Sequence, residues 1–305
     1  MAEELHVVRN QKDTVFRMLF REKKELLELY NALNNSAYHS TKDLIIFTLE
    51  NAIYMNFKND ISFLLDSELN LYEHQASYNP NMPLRDLVYI AKQLEKYMRD
   101  ESIYSSTLVK IPMPRFVVFY NGTDRQPEKQ ILRLSDAFEK ETAEPELELK
   151  VLMLNINFGH NQELMDKCRT LKEYSQYVDR VRKYARVMRI EEAVERAVTE
   201  CIREGILADF LSSQRAEVIA VSIFEYNEEE EMRKIRASEY KNGKEDGIAQ
   251  GIKQGIEQGI ERGIEQGMVE TCKELGVSFE QTVARLKLRL GISEQEAQEK
   301  VRHYW

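Results

Sequence analysis

Apolar positions change period twice along the first half of the chain. In "DTVFRMLFREKKELLELYNALN", residues 13–34, Phe16, Leu19, Phe20, Leu26, Leu27 and Tyr30 recur at helical spacing. Asp13, Arg17 and Phe20 fall at i, i+4 and i+7, so an acid shares the apolar stripe. Short runs with strand character follow: "LIIFTL", "IYMNF", "DISFLLD" and "LNLYEHQA". "NPNMP" closes that series, and Asn81 stands where a cap would start a helix from about Met82 to Arg99. "RFVVFY" reads as a strand ending in an Asn121-Gly122 turn, and "LELKVLMLNIN" reads as a further strand. This order predicts an α/β arrangement on a mixed sheet. Beyond Asn161 the period is helical, which predicts a mainly α-helical C-terminal region with a joint at the acidic "NEEEEMRK", residues 227–234.

A repeat interrupts that region. Glycine recurs every fourth residue from Gly243 to Gly267, which takes seven of the twelve glycines. Ile248, Ile252, Ile256, Ile260, Ile264 and Met268 each follow one. Seven glycines cost an isolated helix on the order of 6–7 kcal/mol relative to alanine. Close approach of a second helix along a stripe of bare backbone and branched side chains would offset that. The drift of a four-residue period favours a right-handed crossing. The repeat is thus expected to be a self-associating helix, with a flexible linker as the alternative. The last residues predict two short helices, the second capped by Ser293.

The chemistry centres on residues 60–75. If Ser67-Glu68 forms a two-residue turn, Asp66 pairs with Leu69, Ser62 with Glu73, and Asp60 with Gln75. Alternation then puts Asp60, Ser62, Leu64, Leu71, Glu73 and Gln75 on one face, with Ile61, Phe63, Leu65, Tyr72 and His74 on the other. Asp60 and Glu73 become diagonal neighbours. Two carboxylates on a half-buried face repel each other and lose hydration. A divalent cation relieves both penalties and can activate water against a phosphodiester, with Gln75 orienting the water or a phosphate oxygen.

Charge refines this picture. The net charge of −9 argues on its face against nucleic acid. Residues 1–190, however, carry 27 Lys/Arg against 28 Asp/Glu, whereas residues 191–305 carry 16 against 24. The acid excess therefore lies in the tail. "RVRKYAR", with Arg180, Arg182, Lys183 and Arg186, offers a local basic stripe that meets either phosphate or solvent. No apolar run is long enough to span a bilayer, and "MAEELHVVRNQKD" has no apolar core of a secretory signal. Three scattered cysteines, Cys168, Cys201 and Cys272, fit a reducing, cytoplasmic setting.

Several motifs occur together in order: Asp13 with "FRMLF", "ND" at 59–60, "EHQ" at 73–75, "NMPLRDLVYIAK" at 81–92, "PMPRFVVFYNG" at 112–122, "LRLSDAF" at 132–138 and "NINFGHN" at 155–161. Over roughly residues 8–240 they resemble the Rpn family, recombination-promoting nucleases often labelled putative transposases, of the PD-(D/E)XK superfamily. The resemblance implies a restriction-endonuclease-like αβββαβ core and bacterial DNA endonuclease chemistry dependent on Mg²⁺, Mn²⁺ or Ca²⁺. It also implies a role in recombination, mobile elements or defence. Carried over, Asp60 and Glu73 hold the metal, Asp13 adds an outer acid, and Gln75 stands where the superfamily usually has lysine. Arg17, Arg85, Tyr89 and Lys92 are candidate DNA contacts, while Arg85 and Tyr89 alternatively brace Glu73. The expected organisation is a nuclease-like core over 1–190, a helical extension over 191–242, the glycine repeat over 243–272 and a short helical segment over 273–305. A DNA endonuclease that self-associates through the repeat is expected. The alternatives are a catalytically weak nucleic-acid-binding relative and a helical scaffold.

Overall fold

The computed structural model describes residues 14–47, 60–99 and 102–305. The chain divides into two compact units, Met1–Glu230 and Glu231–Trp305. The division falls inside the acidic run read as a joint.

The first unit is built on a six-stranded mixed sheet. Its strands are β1 (Ile45–Ile46), β2 (Ile61–Leu65), β3 (Glu68–Gln75), β4 (Met113–Tyr120), β5 (Lys129–Arg133) and β6 (Lys150–Asn155), in the order β1-β2-β3-β4-β6-β5. β3, β4 and β6 run parallel, and the flanking pairings are antiparallel. The expected strand "IYMNF" lies outside the described residues.

Alternation gives the sheet two buried faces. Phe63, Tyr72, Phe119 and Leu154 meet Phe16 of α1 (Val15–Phe20), Leu26 and Tyr30 of α2 (Lys23–Asn34), and Leu171 and Tyr174 of α5 (Arg169–Ala185). Leu71, Val118, Tyr120 and Met153 meet Met82, Tyr89 and Ile90 of α3 (Met82–Tyr97). α4 (Gln162–Lys167), α6 (Ile190–Glu204) and α7 (Ala208–Ser213) extend the first of these layers. The single helix expected from residue 13 is in fact two, because the chain turns at Arg21 and Glu22. Asn81 begins α3 without a side-chain cap, and Pro83 holds its first turn.

The hairpin between β2 and β3 differs from expectation. Asp66 and Ser67, both left-handed (φ 49° and 62°), form the turn. Leu65 then pairs with Glu68, Ser62 with Leu71, and Ile61 with Tyr72. Glu68 is fixed as the first residue of β3 because its carboxylate accepts the Tyr30 hydroxyl at 3.0 Å and the Arg115 guanidinium at 2.8 Å. Moving the turn back by one residue shifts the pairing by two, so every side chain keeps its face. Asp60 is carried from opposite Gln75 to the level of Glu73.

Gly122, expected as a simple turn residue, is required by packing as well. A Cβ there would sit 2.3 Å from the Ala76 carbonyl oxygen and 2.6 Å from the Tyr120 hydroxyl.

The second unit contains the remainder of α8 (Arg215–Glu274), with α9 (Phe279–Leu290) and α10 (Glu294–Tyr304). Val269, Val283, Leu286, Ala297 and Val301 form its small core. Ser293 and Glu296 make the reciprocal capping contacts that start α10. The glycine repeat is helical throughout. Ile248, Ile252, Ile256, Ile260 and Ile264 are 46–59% exposed, and a Cβ at any repeat glycine would meet nothing. Packing within this chain therefore does not call for glycine there.

Candidate active site

Glu73 lies in the middle of the sheet, on the face covered by α3, and is only 2% exposed. Its Oε1 accepts the Asp60 amide at 3.2 Å, and the His74 amide donates to Asp60 Oδ2 at 2.7 Å. Each carboxylate thus caps the backbone of the other's strand. That exchange holds the half-buried Asp60 beside Glu73 at the start of β2. Burial pushes the Glu73 carboxyl well above the usual carboxylate range, and the charges of Asp60 and Asp86 add to the push.

The α3 side chains surround Glu73. Arg85 Nη2 stands 3.9 Å from Glu73 Oε2 and donates to the Tyr89 hydroxyl at 3.1 Å. Arg85, backed by Tyr89, thus lies against Glu73, as its bracing role requires. Lys92, one turn further, is half-buried. Gln93 donates to the Ser62 hydroxyl at 2.6 Å and ties α3 to β2. Asp86 is 1% exposed, and its Oδ1 has no partner among the described residues; burial raises its carboxyl to about 7. Gln75 is half-buried at the end of β3, on the same face as Glu73. Arg17 is half-buried in α1, while Asp13 lies outside the described residues.

Three features were not anticipated. Ser62 and Gln93 were not connected, because their hydrogen bond spans 31 residues. Asp86 carries no local mark of burial in the sequence, yet it is buried on α3 and its charge reaches Glu73. Glu225 accepts the Val15 amide at 3.3 Å, and burial raises its carboxyl to about 8, with Glu229 and Asp60 adding to the rise. A signal existed for it: Val218, Ser222, Glu225 and Glu229 continue one helical stripe from apolar into polar residues.

On the opposite face His74 stacks on Phe16, with 4.9 Å between ring centres, and its Nε2 meets the Tyr174 hydroxyl at 3.0 Å. Asp66 is held in the turn by the Tyr38 hydroxyl. The basic stripe on α5 divides. Arg180 pairs with Glu204 and Glu200, Arg182 with Glu229, and Lys183 with Asp179. Arg186 has no carboxylate partner among the described residues. All three cysteines are free and buried. No described helix is long and apolar enough to cross a membrane.

Among the described residues no three acids, histidines or cysteines converge as a metal cage. The donor set is a pair of carboxylates. Mg²⁺ commonly takes one or two carboxylates, completes its shell with water and substrate phosphate, and rarely uses an all-protein cage. The pair at Asp60 and Glu73 fits that habit. No protein-family model, curated protein or solved structure matches this chain.

Proposed function

We propose that the first unit is a metal-dependent DNA endonuclease whose cutting site is the Asp60–Glu73 pair. The observation that carries this reading is a nearly inaccessible glutamate placed against a second carboxylate with Asp86 nearby, an arrangement that costs stability without a cation. The ordered motifs resembling the Rpn nucleases support it, as does the parallel centre of β3, β4 and β6 for a restriction-endonuclease-like core. Asp60 and Glu73 would hold Mg²⁺, with Mn²⁺ or Ca²⁺ as probes. The bound ion supplies Lewis-acid activation of a phosphodiester and a water of lowered pKa. Arg85 keeps the Glu73 carboxylate turned toward Asp60, Tyr89 keeps Arg85 in place, and the α3 side chains exclude bulk water. Gln75 can orient a water or phosphate oxygen but cannot supply the positive charge of a lysine, so slow turnover is expected.

The test is nicking of supercoiled plasmid by the full chain with each metal, beside Asp60→Ala and Glu73→Ala. Metal-dependent nicking lost in both variants is the expected result. DNA binding without nicking, unchanged by either substitution, would favour the catalytically weak binding relative.

Self-association through the glycine repeat forms part of the proposal and is supported by the exposed isoleucine row. Full-length protein should run as an oligomer by light scattering, and Ile252→Glu with Ile256→Glu should reduce it to a single chain. An unchanged mass in that double variant would exclude the repeat as the contact. Oligomerisation without any DNA binding would favour the scaffold reading.

A further inference from the structure

A cleft of about 290 Å³ opens where β4 and β6 end, beside α5. Its frame is a run of hydrogen bonds. Arg182 Nη1 donates to Asn157 Oδ1 at 2.9 Å, and Asn157 Nδ2 donates to the Gly122 carbonyl at 3.0 Å and to Asn155 Oδ1 at 2.9 Å. The carboxyl end of parallel strands is the usual place for a ligand in an open α/β sheet.

Three features of the lining are not explained by packing. Asn121 is 5% exposed, donates to the Tyr174 hydroxyl at 3.0 Å, and leaves its other amide end without a partner. Interchanging its oxygen and nitrogen would only change which kind of polar atom remains unpaired. Arg125 and Arg186, both exposed, have no carboxylate partner among the described residues, whereas Lys183 neutralises Asp179 and Arg182 is paired with Glu229. Asp124 is the one lining acid left against those two arginines, so the cleft keeps a positive excess. Finally, Phe158 presents its ring 52% exposed, with Lys183 Nζ 5.7 Å from its centre.

Unpaired guanidinium groups, an unpaired buried amide and an exposed aromatic ring within one small cleft match the three parts of a nucleotide. Cations meet the phosphate, the ring stacks a base, and the amide reads a base edge. We propose that this cleft seats one nucleotide of a single nucleic-acid strand, with its phosphate at Arg125 and Arg186 and its base on Phe158 beside Asn121. A strand is preferred over a free nucleotide because the cleft, on the α5 side of the sheet, lies near the end of the strand that carries Glu73 toward α3, within the reach of a polymer but not of a mononucleotide. The Asn121 backbone N–H donates to the Gln75 main-chain carbonyl at 3.1 Å, and Gln75 is two residues, roughly 6–7 Å of strand, beyond Glu73. In this respect the inference rests on the proposed cutting site and names a strand-holding subsite for it.

Binding of a fluorescein-labelled oligothymidylate to the full chain, followed by anisotropy in EDTA at several salt concentrations, tests the assignment without cleavage. Arg125→Ala with Arg186→Ala should weaken binding about tenfold and flatten the logarithmic salt dependence by roughly 0.7, the share of one single-strand phosphate contact. Phe158→Ala should weaken binding at least about fivefold with little change in salt slope. Thymidine monophosphate should compete only at far higher concentration than the oligonucleotide. Affinities within twofold of the unaltered chain in both cleft variants would overturn the proposal, as would a mononucleotide competing mole for mole. Normal binding behaviour with no plasmid nicking would retain the cleft and remove the nuclease reading; nicking with unaffected binding would do the reverse.

Discussion

Glu73→Gln should make the protein more stable at pH 7.5 and, by the same change, inactive. The amide keeps the shape of the carboxylate and the acceptor for the Asp60 amide, but removes a charge from a site 2% exposed and flanked by Asp60 and Asp86. Relieving the desolvation penalty of such a buried group is worth on the order of 1–3 kcal/mol. In a unit of this size that is a rise of several degrees in Tm, at about 2–4 °C per kcal/mol. The sign follows from the direction of the shift. A carboxyl raised above its unfolded value contributes stability while protonated, and that contribution is lost as pH rises through the folded value. The advantage of Glu73→Gln should therefore grow with pH and vanish in acid. Nicking should fall by at least about 10²–10³-fold, the scale of losing a group that stabilises charge in the transition state. Melting curves between pH 5 and 8.5, beside the plasmid assay, check both halves. A variant that melts lower at every pH would show that Glu73 serves packing alone.

Acid should cancel the stability that His74 contributes to the first unit. Burial, with the nearby Arg182 charge, lowers its imidazole from 6.5 to about 3, and Phe16 and Tyr174 enclose the neutral ring. The folded state then binds its proton less readily than the unfolded chain. The stability from neutral His74 is complete above pH 6.5 and is lost as pH falls toward 3. The total is on the order of 5 kcal/mol, of which about 2–3 kcal/mol is gone by pH 4.5. The raised carboxyls of Glu73, Asp86 and Glu225 act in the opposite sense over the same range. The clean observable is therefore the difference between the unaltered chain and His74→Gln in urea titrations at pH 7 and 4.5. The variant should be less stable at pH 7 and should lose about 2–3 kcal/mol less on acidification. Equal acid sensitivity in both chains would assign the effect to other groups.

The faces of the sheet were readable because strand alternation survives an error of one residue in the turn. Asp60, Ser62, Leu64, Leu71 and Glu73 share a face under either pairing. What the sequence did not give was the level of Asp60 relative to Glu73. That depends on Glu68, which Tyr30 and Arg115 anchor from 38 and 47 residues away. The surroundings of Glu73 were partly legible, since Arg85 and Tyr89 follow helical spacing. Asp86 and Glu225 escaped because an acid on a helix looks the same whether it faces solvent or a buried carboxylate. The basic run on α5 misled in the opposite way. Arg180 and Arg182 are consumed by acids that only the fold brings near and Lys183 by Asp179 one turn away, while Arg186 and Arg125, far apart in the chain, line one cleft.

The account stands on one cation bound between Asp60 and Glu73. Mn²⁺ titration of the full chain at pH 7.5, followed by the loss of the free-ion paramagnetic resonance signal, measures that directly. One site per chain, displaced by Mg²⁺ and absent from both Asp60→Asn and Glu73→Gln, is the result predicted. A chain whose Mn²⁺ binding is unchanged by both substitutions, or that binds none, contradicts it.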